Sequence, residues 1–158
     1  MTPKELMSRI KTLISEIAWT GTTYIFGINT FVTPDFPITN IAEIIAPSCF
    51  IVDMGQKSHP EHEGIIEQSF NIMFFVENLG DNKGEGEILG GNRIANTSVG
   101  AGIYDIEQKI ITTIRDTITL STAVVTLEGS GRIKLNKAKG NEPLVIRILR
   151  FKARVYIY

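Results

Sequence analysis

The two histidines fall in one stretch, His59-Pro60-Glu61-His62-Glu63, beside two carboxylates. Imidazole and carboxylate are metal-ligand types, so this stretch is the candidate for metal chemistry. It contains a proline and no helical spacing, so it does not set two imidazoles on one helix face as an H-E-x-x-H motif does. No third group of ligands stands out elsewhere, which favours a solvated loop. Cys49 is the single cysteine and lies in the apolar run Ser48-Cys49-Phe50-Ile51-Val52. That setting predicts a small core residue rather than a nucleophile. Gly84-Glu85-Gly86-Glu87-Ile88-Leu89-Gly90-Gly91 resembles a phosphate loop only in its glycines. It lacks the Gly-Lys-Ser/Thr ending, and two glutamates would repel phosphate. Val99-Gly100-Ala101-Gly102 precedes a predicted helix, where anions can bind, but glycines there also allow close packing. No Ser/His/Asp set, apolar-shielded carboxylate pair or C-x-x-C motif stands out, so no cofactor, metal site or enzymatic activity is expected.

Charge is the more informative chemistry. Arg150, Lys152 and Arg154 alternate with Phe151, Ala153 and Val155, and Arg132, Lys134, Lys137, Lys139 and Arg147 precede them, with Glu142 as the one acid among them. Glu61, Glu63, Glu67, Glu77, Asp81, Glu85 and Glu87 crowd an earlier segment that also holds Lys83. Three explanations compete. The charges could solvate a sheet face and guard an edge strand. A basic strand could meet nucleic-acid phosphates, although aromatic interleaving is limited to Tyr156 and Tyr158. Acidic and basic patches on one subunit could also join head to tail, and such contacts close into rings. The candidate subunit or partner interface is therefore Glu77, Asp81, Lys83, Glu85, Glu87 and Arg93 on one side. On the other are Arg132, Lys134, Lys137, Lys139, Arg147, Arg150, Lys152 and Arg154.

The elements that must position these residues are partly legible. Thr2-Pro3-Lys4-Glu5 reads as a capped helix start, with Glu5 reaching back in a capping box and Pro3 in the first turn. Leu6, Ile10, Leu13, Ile14 and Ile17 form one apolar stripe, and Thr20-Gly21 is the expected end. Tyr24-Ile25-Phe26 could be a short strand. Pro34, Pro37 and Pro47 interrupt any longer element after it, and Asn40 could cap a helical turn through Ile45. A strand is expected over Cys49–Asp53 and a polar loop over Gly55–Gly64. The clearest strand is Ile65–Glu77, with Phe70, Ile72, Phe74 and Val76 on one face and Ser69, Asn71, Met73 and Phe75 on the other. Asn78–Gly102 is a long glycine-rich loop, a kind that is usually functional or ordered by a partner.

A second helix comes next. Ile103, Ile106, Ile110, Ile114 and Ile118 form its buried stripe, widened by Ile111, with Asp105 and Glu107 near its start and Arg115 near its end. Ala123–Leu127 reads as a strand and Gly129-Ser130-Gly131 as a turn. Leu144–Tyr158 is a long last strand whose apolar phase changes between Ile148 and Leu149, for which a bulge or bend is expected. The order of helix, strands, helix, strands predicts an α+β class: a mostly antiparallel sheet with two amphipathic helices packed on one face. One domain is expected over residues 1–158, without repeat or linker. Length, 43% apolar content, 21% charged content and a formal net charge of −1 suit a globular domain and argue against a polycation for nucleic acid. No run approaches the roughly 20 apolar residues of a membrane-spanning helix. The start lacks signal-peptide features and one cysteine forms no internal disulfide, so a reducing compartment is expected.

Taken in order, these features resemble the tail terminator (tail completion) proteins of tailed bacteriophages. The resemblance runs through the N-terminal helix Thr2–Ile17, the strand from Pro47 to Asp53, the Phe-rich strand Ile65–Glu77, the long loop and the helix Ile103–Thr119. It ends on Arg147-Ile148-Leu149-Arg150-Phe151-Lys152-Ala153-Arg154-Val155-Tyr156-Ile157-Tyr158. It implies a structural virion protein of the tail and neck, assembled in the host cytoplasm, with an α+β fold and no enzymatic activity. Such proteins form hexameric rings on the tail-tube end, stop tube polymerisation and present a surface to neck proteins. Tube protein, neck or stopper protein, sheath and further copies of the chain are the partners it implies. The long loop departs from the shorter connections of that family. Reversing Arg150, Lys152 and Arg154 to Glu is then expected to impair ring formation or tail joining. Rival assignments are another head–tail connector or stopper, a nucleic-acid-binding module using the basic strand, and a small enzyme with a scattered site.

Overall fold

The computed structural model describes residues 1–20, 23–35, 47–75, 88, 102–118, 123–136 and 143–157. Helix α1 spans Pro3–Ser15. The Thr2 hydroxyl accepts from the Glu5 N–H at 3.2 Å, and the Glu5 carboxylate accepts from the Thr2 N–H at 2.7 Å, so the capping box forms. That backbone hydrogen bond holds the Glu5 carboxyl below its ordinary range. Leu6, Met7, Ile10 and Ile14 are its buried face. The helix stops at Ser15, earlier than Thr20-Gly21, because Ala18–Thr20 becomes strand β1. β1 pairs antiparallel with β2, Thr23–Tyr24. Ile25 and Phe26 lie beyond β2 but are buried, and Phe26 meets Phe74 edge to face at 6.1 Å. A 3₁₀ turn over Gly27–Asn29 leads on to the main sheet.

The main sheet has five strands in the order β3-β4-β5-β7-β6. They are β3 (Thr30–Thr33), β4 (Ser48–Ser58), β5 (Ile65–Phe75), β6 (Ala123–Asn136) and β7 (Pro143–Tyr156). Only the β3–β4 pair is parallel; the other three are antiparallel. Helix α2, Ile103–Ile118, precedes β6. Its Asp105 carboxylate accepts from the Gly102 N–H at 3.0 Å, which occupies a donor at the helix start.

One large core joins both helices to a single sheet face. Leu6, Ile10 and Ile14 of α1 and Ile103, Ile106, Ile110 and Ile114 of α2 meet Cys49, Ile51, Phe70, Ile72, Phe74, Leu149, Phe151, Ala153 and Val155. Leu13, Ile88 and Ile111 pack against it. Burying each such isoleucine or phenylalanine contributes about 1.5–3 kcal/mol. The α+β class and the two-helix face are therefore as expected, as is the alternation of β5. A smaller cluster of Phe50, Val52, Met73, Phe75, Ile146 and Ile148 lies on the opposite face.

That second cluster corrects the expected phase slip in the last strand. β7 keeps an unbroken register with β5 from Ile65↔Tyr156 to Phe74↔Arg147. The apolar phase changes because the strand is buried on both faces near Ile146–Leu149 and on one face beyond it. Bulges occur elsewhere. Between Leu127 and Gly129, β6 carries one extra residue, Glu128, against β7. Gly129-Ser130-Gly131 is thus strand, not turn, and β6 runs on to Asn136. The polar stretch Gly55–Ser58 is likewise strand, so the loop is only 59–64. A register shift between Asp53 and Gln56 absorbs Gly55 at φ +99°. Asp53 pins it, its Oδ1 accepting from the Gly55 N–H at 2.9 Å and from Gln68 Nε2 at 2.8 Å. Val76, Glu77, the turn expected over Asn40–Ile45 and nearly all of Asn78–Gly102 lie outside the described residues.

Candidate functional site

The sheet face opposite the helices carries the basic row. Because side chains alternate on β7, Arg150, Lys152 and Arg154 share this face with Ile148. Antiparallel pairing sets β5 beside β7 with Glu67 opposite Arg154. Glu67 reaches Lys57 of β4 at 3.3 Å and Arg154 at 3.7 Å, a ladder across three strands. Lys152 pairs with Glu128 of β6, the extra residue of the bulge, at 3.1 Å. Acidic and basic residues far apart in sequence therefore meet within one subunit. Burial pushes the Glu67 carboxyl up, but the hydrogen bond from Lys57 and the charges of Lys57, Lys152 and His59 outweigh it, and the group ends below its ordinary range.

Arg150 takes no ion pair among the described residues. Its guanidinium lies across β6 over Gly131, where a Cβ would come within 3.2 Å of it. Arg147 faces the helices instead. Its Nε donates to Glu107 of α2 at 3.0 Å, and its guanidinium sits 5.2 Å from the centre of the Tyr104 ring. Arg132 is its register partner on β6 and is exposed. The structure thus brings Arg150, Lys152 and Arg154 together and sets Arg147 apart. Reversing all three would break two ion pairs inside the subunit, so it would probe subunit stability as well as assembly. Glu77, Asp81, Lys83, Glu85, Glu87, Arg93, Lys137, Lys139 and the Lys134 side chain lie outside the described residues.

The His59 and His62 rings stack at 5.2 Å, and the Glu61 N–H donates to His59 Nδ1 at 3.3 Å. The His59 N–H donates to the Ile65 carbonyl at 3.0 Å, closing the β4–β5 turn. Among the described residues no three His, Cys, Asp or Glu side chains converge as metal ligands. Cys49 is buried, and burial pushes its thiol up, so it is uncharged at neutral pH.

A second surface was not anticipated from the residue pattern. An open hollow of about 500 Å³ lies beside α1 and β3, bordered by Lys11, Ser15, Glu16, Tyr24, Gly27, Ile28, Thr30 and Phe31. Ile28, at the tip of the 3₁₀ turn, is 92% exposed, and Tyr24 and Phe31 are exposed beside it. Its one signal in the sequence is an isoleucine between Gly27 and Asn29, an apolar residue inside turn-forming neighbours. Compared with models of known protein families and with curated proteins, the sequence matches none.

Proposed function

We propose that the chain is a structural assembly protein of the tail-terminator kind: a ring subunit that caps a phage tail tube and joins it to the neck, without catalysis. The observation that carries this is the open sheet. β6 is a fourteen-residue edge strand that pairs on one side only among the described residues. Its exposed backbone is a template for another subunit, and Val124, Leu127 and Ile133 are exposed along it. The Glu128 bulge divides that edge and restricts which surfaces can pair with it. An edge meeting a different surface of the next subunit is a heterologous contact, and such contacts form a ring when the rotation from one subunit to the next closes. A ring matching the tube end on one face, with no tube-binding surface on the other, blocks the next tube ring. Tube, neck and sheath proteins are the partners of this proposal, and the virion tail is its location.

The nucleic-acid alternative has less support, because Lys152 and Arg154 are neutralised by Glu128 and Glu67. The test is electron microscopy of the purified protein, alone and with tail tubes, beside a Val124→Lys/Ile133→Lys variant. Sixfold rings on tube ends, lost in the variant while its circular dichroism is kept, are expected. A monodisperse monomer without affinity for tubes overturns the function, and rings unchanged in the variant overturn the role of the edge.

A further inference from the structure

We propose that the hollow beside the 3₁₀ turn is a self-association surface, in which Ile28 of one copy enters the hollow of a second copy about a twofold axis. The turn that presents Ile28 is built as a firm base. Phe26 is buried beneath it, the Asn29 N–H donates to the Phe26 carbonyl at 3.0 Å, and Gly27 takes φ +54° to make the bend. The Ile25 N–H donates to the Ile17 carbonyl at 3.0 Å, tying the segment to the end of α1. An isoleucine held almost fully in water on such a base is a preorganised knob. The hollow lies directly beside it, walled by the exposed rings of Tyr24 and Phe31. Phe31 is held there by stacking on Phe50 at 5.4 Å.

Two observations choose a second copy as occupant. Knob and hollow lie in one patch, which is what an isologous contact requires, since each subunit then gives and receives the same side chain. The patch is also self-complementary in charge. Lys11 and Glu16 both border the hollow, and neither takes an ion pair among the described residues. A twofold axis through the patch sets Lys11 of one copy against Glu16 of the other, twice. The floor adds Thr30, which is 2% exposed and whose hydroxyl has no hydrogen-bond partner among the described residues. Because β3 and β6 are opposite edges of the sheet, this contact is separate from the one proposed for ring formation.

The experiment is sedimentation velocity with native mass spectrometry on the full chain over a concentration series. Wild type is expected to double its basal species as concentration rises, monomer to dimer or ring to ring pair. Ile28→Asp is expected to weaken doubling by about tenfold or more, because it places a charge where the knob is buried. Ile28 lies outside the core, so the variant folds. Lys11→Glu is expected to weaken doubling, and Lys11→Glu/Glu16→Lys to restore it, since the exchanged charges again face each other across the axis. Wild type that never doubles, doubling untouched by Ile28→Asp, or no rescue by the exchange each overturns the proposal. The Val124→Lys/Ile133→Lys variant alters the basal species and leaves its doubling intact, so failure of the ring proposal is read separately.

Discussion

Glu67 is a buried carboxylate held between Lys57 and Arg154 on neighbouring strands, and its ionisation is therefore linked to folding. Its folded pKa lies below the ordinary value of 4.5, despite the opposing effect of burial, because Lys57, Lys152 and His59 favour the anion. A lowered pKa contributes stability that is present above the unfolded value and is lost as pH falls through the folded one. Urea titrations of wild type and Glu67→Gln from neutral pH into strong acid should show this directly. The wild-type advantage should be full near neutrality, begin to fall as pH drops past the ordinary carboxylate range, and vanish in strong acid. An advantage independent of pH would show that the carboxylate's charge is not what the ladder uses. At this scale the sequence names the charged residues but not their pairing. Arg147 and Glu107 are 40 residues apart, and only the fold brings them to 3.0 Å.

Elements were legible where a local rule acts alone. The capping box of α1 and the isoleucine stripe of α2 need only neighbouring residues, and both form as expected. Strand lengths were not, because glycine signals a turn in sequence while a bulge uses it inside a strand. Gly55 and Gly129-Ser130-Gly131 are cases of this, and each sits beside a register shift. The bulge in β6 takes up Glu128, so that Gly129 to Ile133 keep the alternation set by β7. Deleting Glu128 would join Leu127 directly to Gly129, whose partners Phe151 and Arg150 are already adjacent, so Arg132 and Ile133 would keep their faces. It would also remove the carboxylate that pairs with Lys152. A loss of about 0–1 kcal/mol is therefore expected in thermal or urea unfolding, close to that of Glu128→Gln, which removes the exposed ion pair alone, and a loss of several kcal/mol would show that the sheet depends on the bulge itself.

For the molecule as a whole, periodicity indicates the class and the single helix-bearing face, since two apolar helical stripes and one apolar strand face must bury each other. The parallel pairing of β3 with β4 and the hollow beside the 3₁₀ turn depend on how distant segments are brought together, which no local pattern encodes. The same holds for the second apolar cluster, whose six residues come from three strands. Its position has a consequence for the rates at which backbone protons trade with solvent. β5 and β7 lie between apolar layers at one end, around Ile72–Phe75 and Ile146–Leu149, and have a polar, charged face at the other, around Ile66–Gln68 and Lys152–Tyr156. Opening the first end exposes two cores, and opening the second exposes one. In heavy water, amides of Ile72–Phe75 should exchange on the order of tenfold more slowly than those of Ile66–Gln68 on the same strand. Equal protection along β5 would mean that the sheet opens as one unit, with the second apolar layer adding nothing to its resistance.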